Sequence, residues 1–75
     1  MIEELRALIY ATEFHPFSIK LKTGRVFQVN EREFAWVRPS GMVHVVDNDG
    51  RLYILAPKEI DFISAPEEAN TEEGN

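Results

Sequence analysis

Three short segments of this chain share one loop chemistry: Lys22-Thr23-Gly24, Pro39-Ser40-Gly41 and Asn48-Asp49-Gly50, each ending in glycine between alternating runs of β-branched and aromatic residues. A three-residue hairpin loop is commonly a type I turn followed by a residue at positive φ, which glycine adopts without steric cost. Proline suits the first turn position, and Ser, Asn and Asp suit the turn as a whole. The loops therefore predict short antiparallel hairpins and also their registers. Across Pro39 to Gly41, Arg38 falls opposite Met42, Val37 opposite Val43, Trp36 opposite His44, Ala35 opposite Val45 and Phe34 opposite Val46. Across Asn48 to Gly50, Asp47 falls opposite Arg51 as an opposite-charge pair, followed by Val46 with Leu52, Val45 with Tyr53 and His44 with Ile54. At the first loop, a two-residue turn would set Ile19 against Gln28 and Lys20 against Phe27. The three-residue reading sets Ile19 against Phe27 and Phe17 against Val29. A one-residue slip exchanges the two faces of a strand, so the hydrophobic pattern selects the latter.

Met42 to Asp47 lies between two of these loops and is apolar on both faces, which reads as a central strand. Before the first strand, Met1 to Ala11 reads as an amphipathic helix: Ile2, Leu5, Leu8 and Ile9 recur at helical spacing, and Glu3 and Glu4 suit the positive end of its dipole. Pro16 stops it and makes Thr12 to His15 a connection. Phe17 to Leu21 is the first strand and Arg25 to Asn30 returns beside it. Asn30-Glu31-Arg32-Glu33 has two readings: a single helical turn with the Asn30 and Glu33 spacing of a capping box, or a bulge that bends one strand running from Arg25 to Arg38. One bent strand places Lys22 to Arg25 and Asn48 to Arg51 at the same end of the molecule, and two separate strands place them at opposite ends. The bent strand is preferred. Ala56-Pro57 ends the next strand, Lys58-Glu59 turns, and Ile60 to Ser64 forms a last strand whose Ile60, Phe62 and Ile63 do not alternate cleanly.

Seventy-five residues make one domain. At this size a chain buries only about 60% of its unfolded surface, and with no cysteine there is no disulfide to compensate. The missing cysteine and an N-terminus without a signal-peptide pattern lead us to expect a cytoplasmic protein, and no run approaches a membrane span. The net charge of −5 is unevenly placed. Glu67, Glu68, Glu72 and Glu73 lie in residues 66 to 75 without a base, which reads as an acidic disordered tail. Residues 1 to 65, the expected folded domain, carry nine acids against eight bases.

The expected fold is mainly β: an N-terminal helix followed by five antiparallel strands, strongly bent and curled into a small barrel that protects its edges. The helix and the segment Ile19-Lys20-Leu21-Lys22-Thr23-Gly24-Arg25-Val26-Phe27 resemble the opening of the Sm-like family. That resemblance implies a small barrel and a ring-forming habit. It does not bring an RNA site, because Val29 stands where the family usually has glycine, and Phe34 to Val37 and Leu55 to Lys58 lack the family's RNA-binding motifs. The pattern Pro16-Phe17-x-Ile19-x-Leu21-x-x-Gly24-Arg25 is also similar to small uncharacterised bacterial proteins, a likeness without a function attached.

Candidate chemistry is sparse. His44 has no second histidine, cysteine or carboxylate at a useful strand spacing, which reads as a packed histidine. Asp47-Asn48-Asp49-Gly50 opens like a calcium loop, but Leu52 and Lys58 occupy the positions that need glycine and glutamate. Ser18, Ser40 and Ser64 lack a placed base, and there is no glycine-rich phosphate cradle. We expect no catalytic residue, no metal, no cofactor and no small-molecule substrate. Two-sided burial points to a self-assembling homo-oligomer acting as a protein interaction or assembly module: Ala35, Val37, Val43, Val45 and Leu55 fill the barrel, while Phe34, Trp36, Met42, His44, Val46 and Ile54 form an oligomer interface on the other face. The alternative is single-stranded RNA binding by Lys20, Lys22, Arg25 and Arg51 on an oligomeric ring, with aromatic residues between them.

Overall fold

The computed structural model describes residues 1–65; the expected acidic tail, residues 66–75, lies outside the described residues. Helix α1 (Ile2–Ile9) is followed by β1 (Phe17–Leu21), β2 (Val26–Val29), a 3-10 turn (Arg32–Phe34), β3 (Ala35–Val37), β4 (Val43–Val46), β5 (Leu52–Leu55), a second 3-10 turn (Pro57–Glu59) and β6 (Ile60–Ser64). The strands form two three-stranded antiparallel sheets, ordered β2-β1-β6 and β3-β4-β5. The protein is thus mainly β with one N-terminal helix. It has six strands in two sheets, where the sequence suggested five in one barrel, and the sheets do not join into a closed barrel.

The hairpin registers follow the loop chemistry. Phe17 pairs with Val29 and Ile19 with Phe27; Trp36 pairs with His44 and Val37 with Val43; Val45 pairs with Tyr53 and Val46 with Leu52. Gly24, Gly41 and Gly50 hold φ of 99°, 96° and 85°, the positive values that the loops require. β4 is the central strand of its sheet, as its two-sided apolar character suggested. The clumsy pattern of β6 has a simple cause. Lys20 pairs with Phe62 but Leu21 pairs with Ile60, so a bulge skips Asp61 and places both Ile60 and Ile63 against apolar neighbours.

One register ends early. Phe34 does not pair with Val46; it closes the 3-10 turn and packs against the core. The preferred single bent strand is therefore replaced by two strands separated by that turn. The alternative reading, a single helical turn, is thus present as a 3-10 turn, but its N-cap is Glu31 and no side chain caps it, so that turn has no Asn30 capping box. Arg32 explains why the chain leaves the ladder. Its guanidinium donates to the carbonyls of Ile9 (3.0 Å), Ala11 (2.6 Å) and Thr12 (3.3 Å). These groups lie at the end of α1, where backbone carbonyls lose their intrahelical partners, and a cation there also suits the dipole. The same contacts end α1 at Ile9, two residues before the expected limit.

The inward faces of both sheets meet α1 in one core. Leu5, Ile9, Phe17, Ile19, Val29, Val43 and Val45 are essentially fully buried, and each contributes roughly 1.5–3 kcal/mol of transfer free energy. The helix lies along β3, where the Val37 N–H donates to the Tyr10 hydroxyl at 3.4 Å. α1 thereby covers the unpaired edge of β3 and adds Leu5 and Ile9 to the inward core. Trp36, Met42, His44, Val46 and Ile54 are not part of that core. No helix among the described residues is long and apolar enough to cross a membrane.

Candidate functional site

Among the described residues, polar side chains of the two sheets meet at Arg25, Asp47 and Tyr53. Arg25 follows the first hairpin loop, Asp47 precedes the third, and Tyr53 sits on the inward side of β5 opposite Val45. The Arg25 guanidinium lies over the rings of both Phe27 (4.7 Å) and Tyr53 (4.4 Å), which are themselves 4.9 Å apart and tilted by 54°. One Arg25 N–H donates to the Tyr53 hydroxyl at 2.9 Å, and that hydroxyl donates to Asp47 Oδ2 at 3.1 Å. The Arg25 and Asp47 side chains approach to 4.0 Å. The expected consequence of two separate strands, loops at opposite ends, does not follow. The intervening 3-10 turn carries the chain around so that the first and third loops meet through Arg25 and Asp47.

Asp47 organises its own loop too. Its Oδ1 accepts the backbone N–H groups of Asp49 and Arg51, both at 2.9 Å. The Arg51 N–H is the main influence holding the Asp47 carboxyl below its ordinary value of 3.8. Partial burial opposes it, while the Asp49 N–H, the Tyr53 hydroxyl and the Arg51 charge reinforce it. The expected side-chain pair between Asp47 and Arg51 is replaced: the Arg51 guanidinium lies 3.7 Å from Asp49. Asp47 is released for Tyr53 and Arg25.

A shallow cleft of about 160 Å³ opens beside this cluster, lined by Arg25, Val26, Phe27, Gln28, Asp47 and Asn48. A second hollow of about 400 Å³, mostly apolar, lies against Leu21, Lys22, Thr23, Lys58 and Glu59. The four basic residues singled out in the sequence are thus dispersed. Lys20 reaches over the Phe62 ring on the outer face of the first sheet, Lys22 borders the apolar hollow, Arg25 lies in the polar cleft, and Arg51 pairs within its own loop.

The residues singled out for an interface divide differently. Trp36, His44 and Ile54 form one outward row across β3, β4 and β5, with the Trp36 and His44 ring centroids 5.2 Å apart. Val46 and Leu52 form the next row, and Met42 stands at the other end, where the Arg38 N–H donates to its carbonyl. Phe34 leaves this face for the core. Ile54 and Leu52 remain 55% and 52% exposed. Among the described residues, no three His, Cys, Asp or Glu side chains are placed to share a metal ion.

Sequence reasoning did not single out Arg32, and it read Asp47 as the partner of Arg51 rather than of Tyr53 and Arg25. Tyr53 had a signal, since the hairpin register places its polar tip on an inward face. Comparison with known proteins finds no matching family model, no matching curated protein and no matching solved structure.

Proposed function

We propose that this protein is a non-enzymatic, Sm-like small barrel that assembles with copies of itself and serves as an interaction or assembly module. The observation that carries this reading is the state of β5. Among the described residues it is an edge strand, bonded only to β4, and its outward Leu52 and Ile54 are half exposed beside the Trp36 and His44 row. The Asp47 N–H bonds to the Arg51 carbonyl, so by the alternation of an antiparallel ladder the backbone groups of Tyr53 and Leu55 bond to β4. Those of Leu52 and Ile54 then face the open edge. Exposed edges of this kind invite strand addition unless they are covered. Among the described residues, β6 is also an edge strand, bonded only to β1. Joining β5 of one copy to β6 of the next gives a heterologous contact, which closes as a ring when the rotation permits.

The strand order supports the barrel part of the reading. β6-β1-β2 and β3-β4-β5 are connected from β2 to β3 by one short turn, which is the succession expected for a five-stranded barrel whose second strand bends. The test is Ile54→Asp in size-exclusion chromatography, with circular dichroism to verify folding. A folded variant that elutes later than the unmodified protein supports assembly through this strand. A folded variant that elutes at the unmodified position removes it.

A further inference from the structure

We propose that the apolar hollow between the first hairpin loop and the second 3-10 turn binds a monocarboxylate with an apolar body, its charge held by Lys22 and Lys58. The inference stands apart from self-assembly, because every residue that lines the hollow belongs to one copy of the chain.

The walls are tied to each other before any ligand arrives. Leu21, Lys22 and Thr23 come from the first hairpin and Lys58 and Glu59 from the 3-10 turn, and the Lys22 N–H donates to the Glu59 carbonyl at 2.9 Å. Each wall is also closed on itself. The Gly24 N–H donates to the Leu21 carbonyl and the Glu59 N–H to the Ala56 carbonyl, both at 2.9 Å. A hollow fixed in this way needs little ordering when it is filled. Its volume of about 400 Å³ falls within the roughly 300–1,000 Å³ of small-molecule sites, and its surface is mostly apolar, as such sites require. Leu21, only 9% exposed, supplies part of that surface, and the methylene stems of the two lysines add to it.

Charge decides which apolar ligand suits the hollow. Among the described residues, Arg6, Arg25 and Arg51 each lie within 4.0 Å of a carboxylate, Arg32 is engaged by three carbonyls, and the Lys20 ammonium lies over the Phe62 ring. Lys22 and Lys58, like Arg38 at the second hairpin, have no such partner there. Glu59 lines the same hollow, but its carboxylate accepts the Ala56 N–H at 3.1 Å and so serves its own turn. Two ammonium groups therefore border an apolar surface against one carboxylate that is already engaged. A single negative charge on an apolar body answers both features: it gives the ammonium groups a charge-assisted partner, and its body leaves water. A cation would be repelled, and a small anion such as phosphate would leave the apolar surface uncovered.

The experiment is a ¹H–¹⁵N correlation titration of the whole protein with octanoate, octylamine, acetate and inorganic phosphate. Octanoate carries both features, octylamine inverts the charge, and acetate and phosphate lack the apolar body. The expected result is saturable shifts at the Lys22, Thr23, Lys58 and Glu59 amides with octanoate, and binding at least about tenfold weaker for the other three. Lys22→Gln and Lys58→Gln, both at exposed positions, shorten little and remove the charge. Each should weaken octanoate binding about threefold, and the two together about tenfold. An otherwise unchanged spectrum verifies that the variants fold. Octylamine binding as tightly as octanoate would overturn the proposal, and so would equal binding of acetate or phosphate. Shifts confined to the Trp36, His44 and Ile54 row, or no saturable shift at all, would overturn it as well. A folded double variant with unchanged affinity for octanoate would do the same, since the two lysines would then not hold the charge.

Discussion

The two sheets have similar inward faces and different outward ones. On β2-β1-β6, the outward rows hold Gln28, Ser18 and Ser64, then Val26, Lys20 and Phe62. Ser18 donates to Gln28 at 2.7 Å, and the Lys20 ammonium lies 5.5 Å from the centre of the Phe62 ring. On β3-β4-β5, the corresponding rows hold Trp36, His44 and Ile54, then Val46 and Leu52. The first outward face mixes Ser18, Gln28, Ser64 and Lys20 with two half-exposed apolar side chains, Val26 and Phe62. The second resembles a core layer missing its partner, and α1 does not supply one because its buried residues Leu5 and Ile9 join the inward core. A chain this small buries one side of each sheet with its own residues, and on the second sheet the other side keeps Leu52 and Ile54 half exposed.

The strongest way to break this comparison is to attack the inward faces, which should respond alike. Phe17→Ala in the first sheet should cost about 3–5 kcal/mol and Leu55→Ala in the second about 2–5 kcal/mol, each enough to unfold a marginal domain. Urea denaturation followed by circular dichroism measures both. A Leu55→Ala cost near zero would show that the second sheet's inward face is not a true core.

Arg32 links α1 to the turn between the sheets. Replacing it by Met retains much of the apolar stem and abandons the carbonyls of Ile9, Ala11 and Thr12, which should cost about 1–3 kcal/mol. Thermal melting reads the loss, and an unchanged midpoint would remove Arg32 from its capping role. Gly50→Ala should cost about 1–2 kcal/mol through backbone strain alone, since a Cβ there meets no atom within 4 Å.

The smallest effect concerns the contact between the sheets at Asp47. Its carboxyl titrates lower in the folded protein than in the unfolded chain, so its contribution is present above the ordinary value of 3.8. That contribution is lost as pH falls through the lower, folded value. Asp47→Asn should therefore lower stability at neutral pH and flatten the acid limb of the stability curve. An acid limb identical in the two proteins would mean that Asp47 is not held by this network.

The sheets differ also in how much of them was legible beforehand. Hairpin registers could be read because a glycine at positive φ and a period-two pattern are both local, and they agree at Gly24, Gly41 and Gly50. The β2 to β3 junction could not, because its geometry depends on Arg32 reaching carbonyls that lie about twenty positions earlier in the chain. Arg25 was singled out by its charge, yet its setting depends on Tyr53, which comes from the other sheet. Lys20, Lys22 and Arg51 shared that charge signal and lie elsewhere. The outward row of Trp36, His44 and Ile54 was legible from register alone, whereas the departure of Phe34 was hidden by the same junction.

The most direct test of the central claim is the solution mass by light scattering, measured over a dilution series for the unmodified protein, Ile54→Ser and Val26→Ser. Both substitutions remove a half-exposed apolar side chain, one from each outward face. The account gives a multiple of 8.6 kDa for the unmodified protein, a lower mass or weaker association for Ile54→Ser, and no change for Val26→Ser, which lies on β2 away from the β5 and β6 edges. A folded protein of 8.6 kDa at every concentration would contradict it, and so would equal effects of the two substitutions.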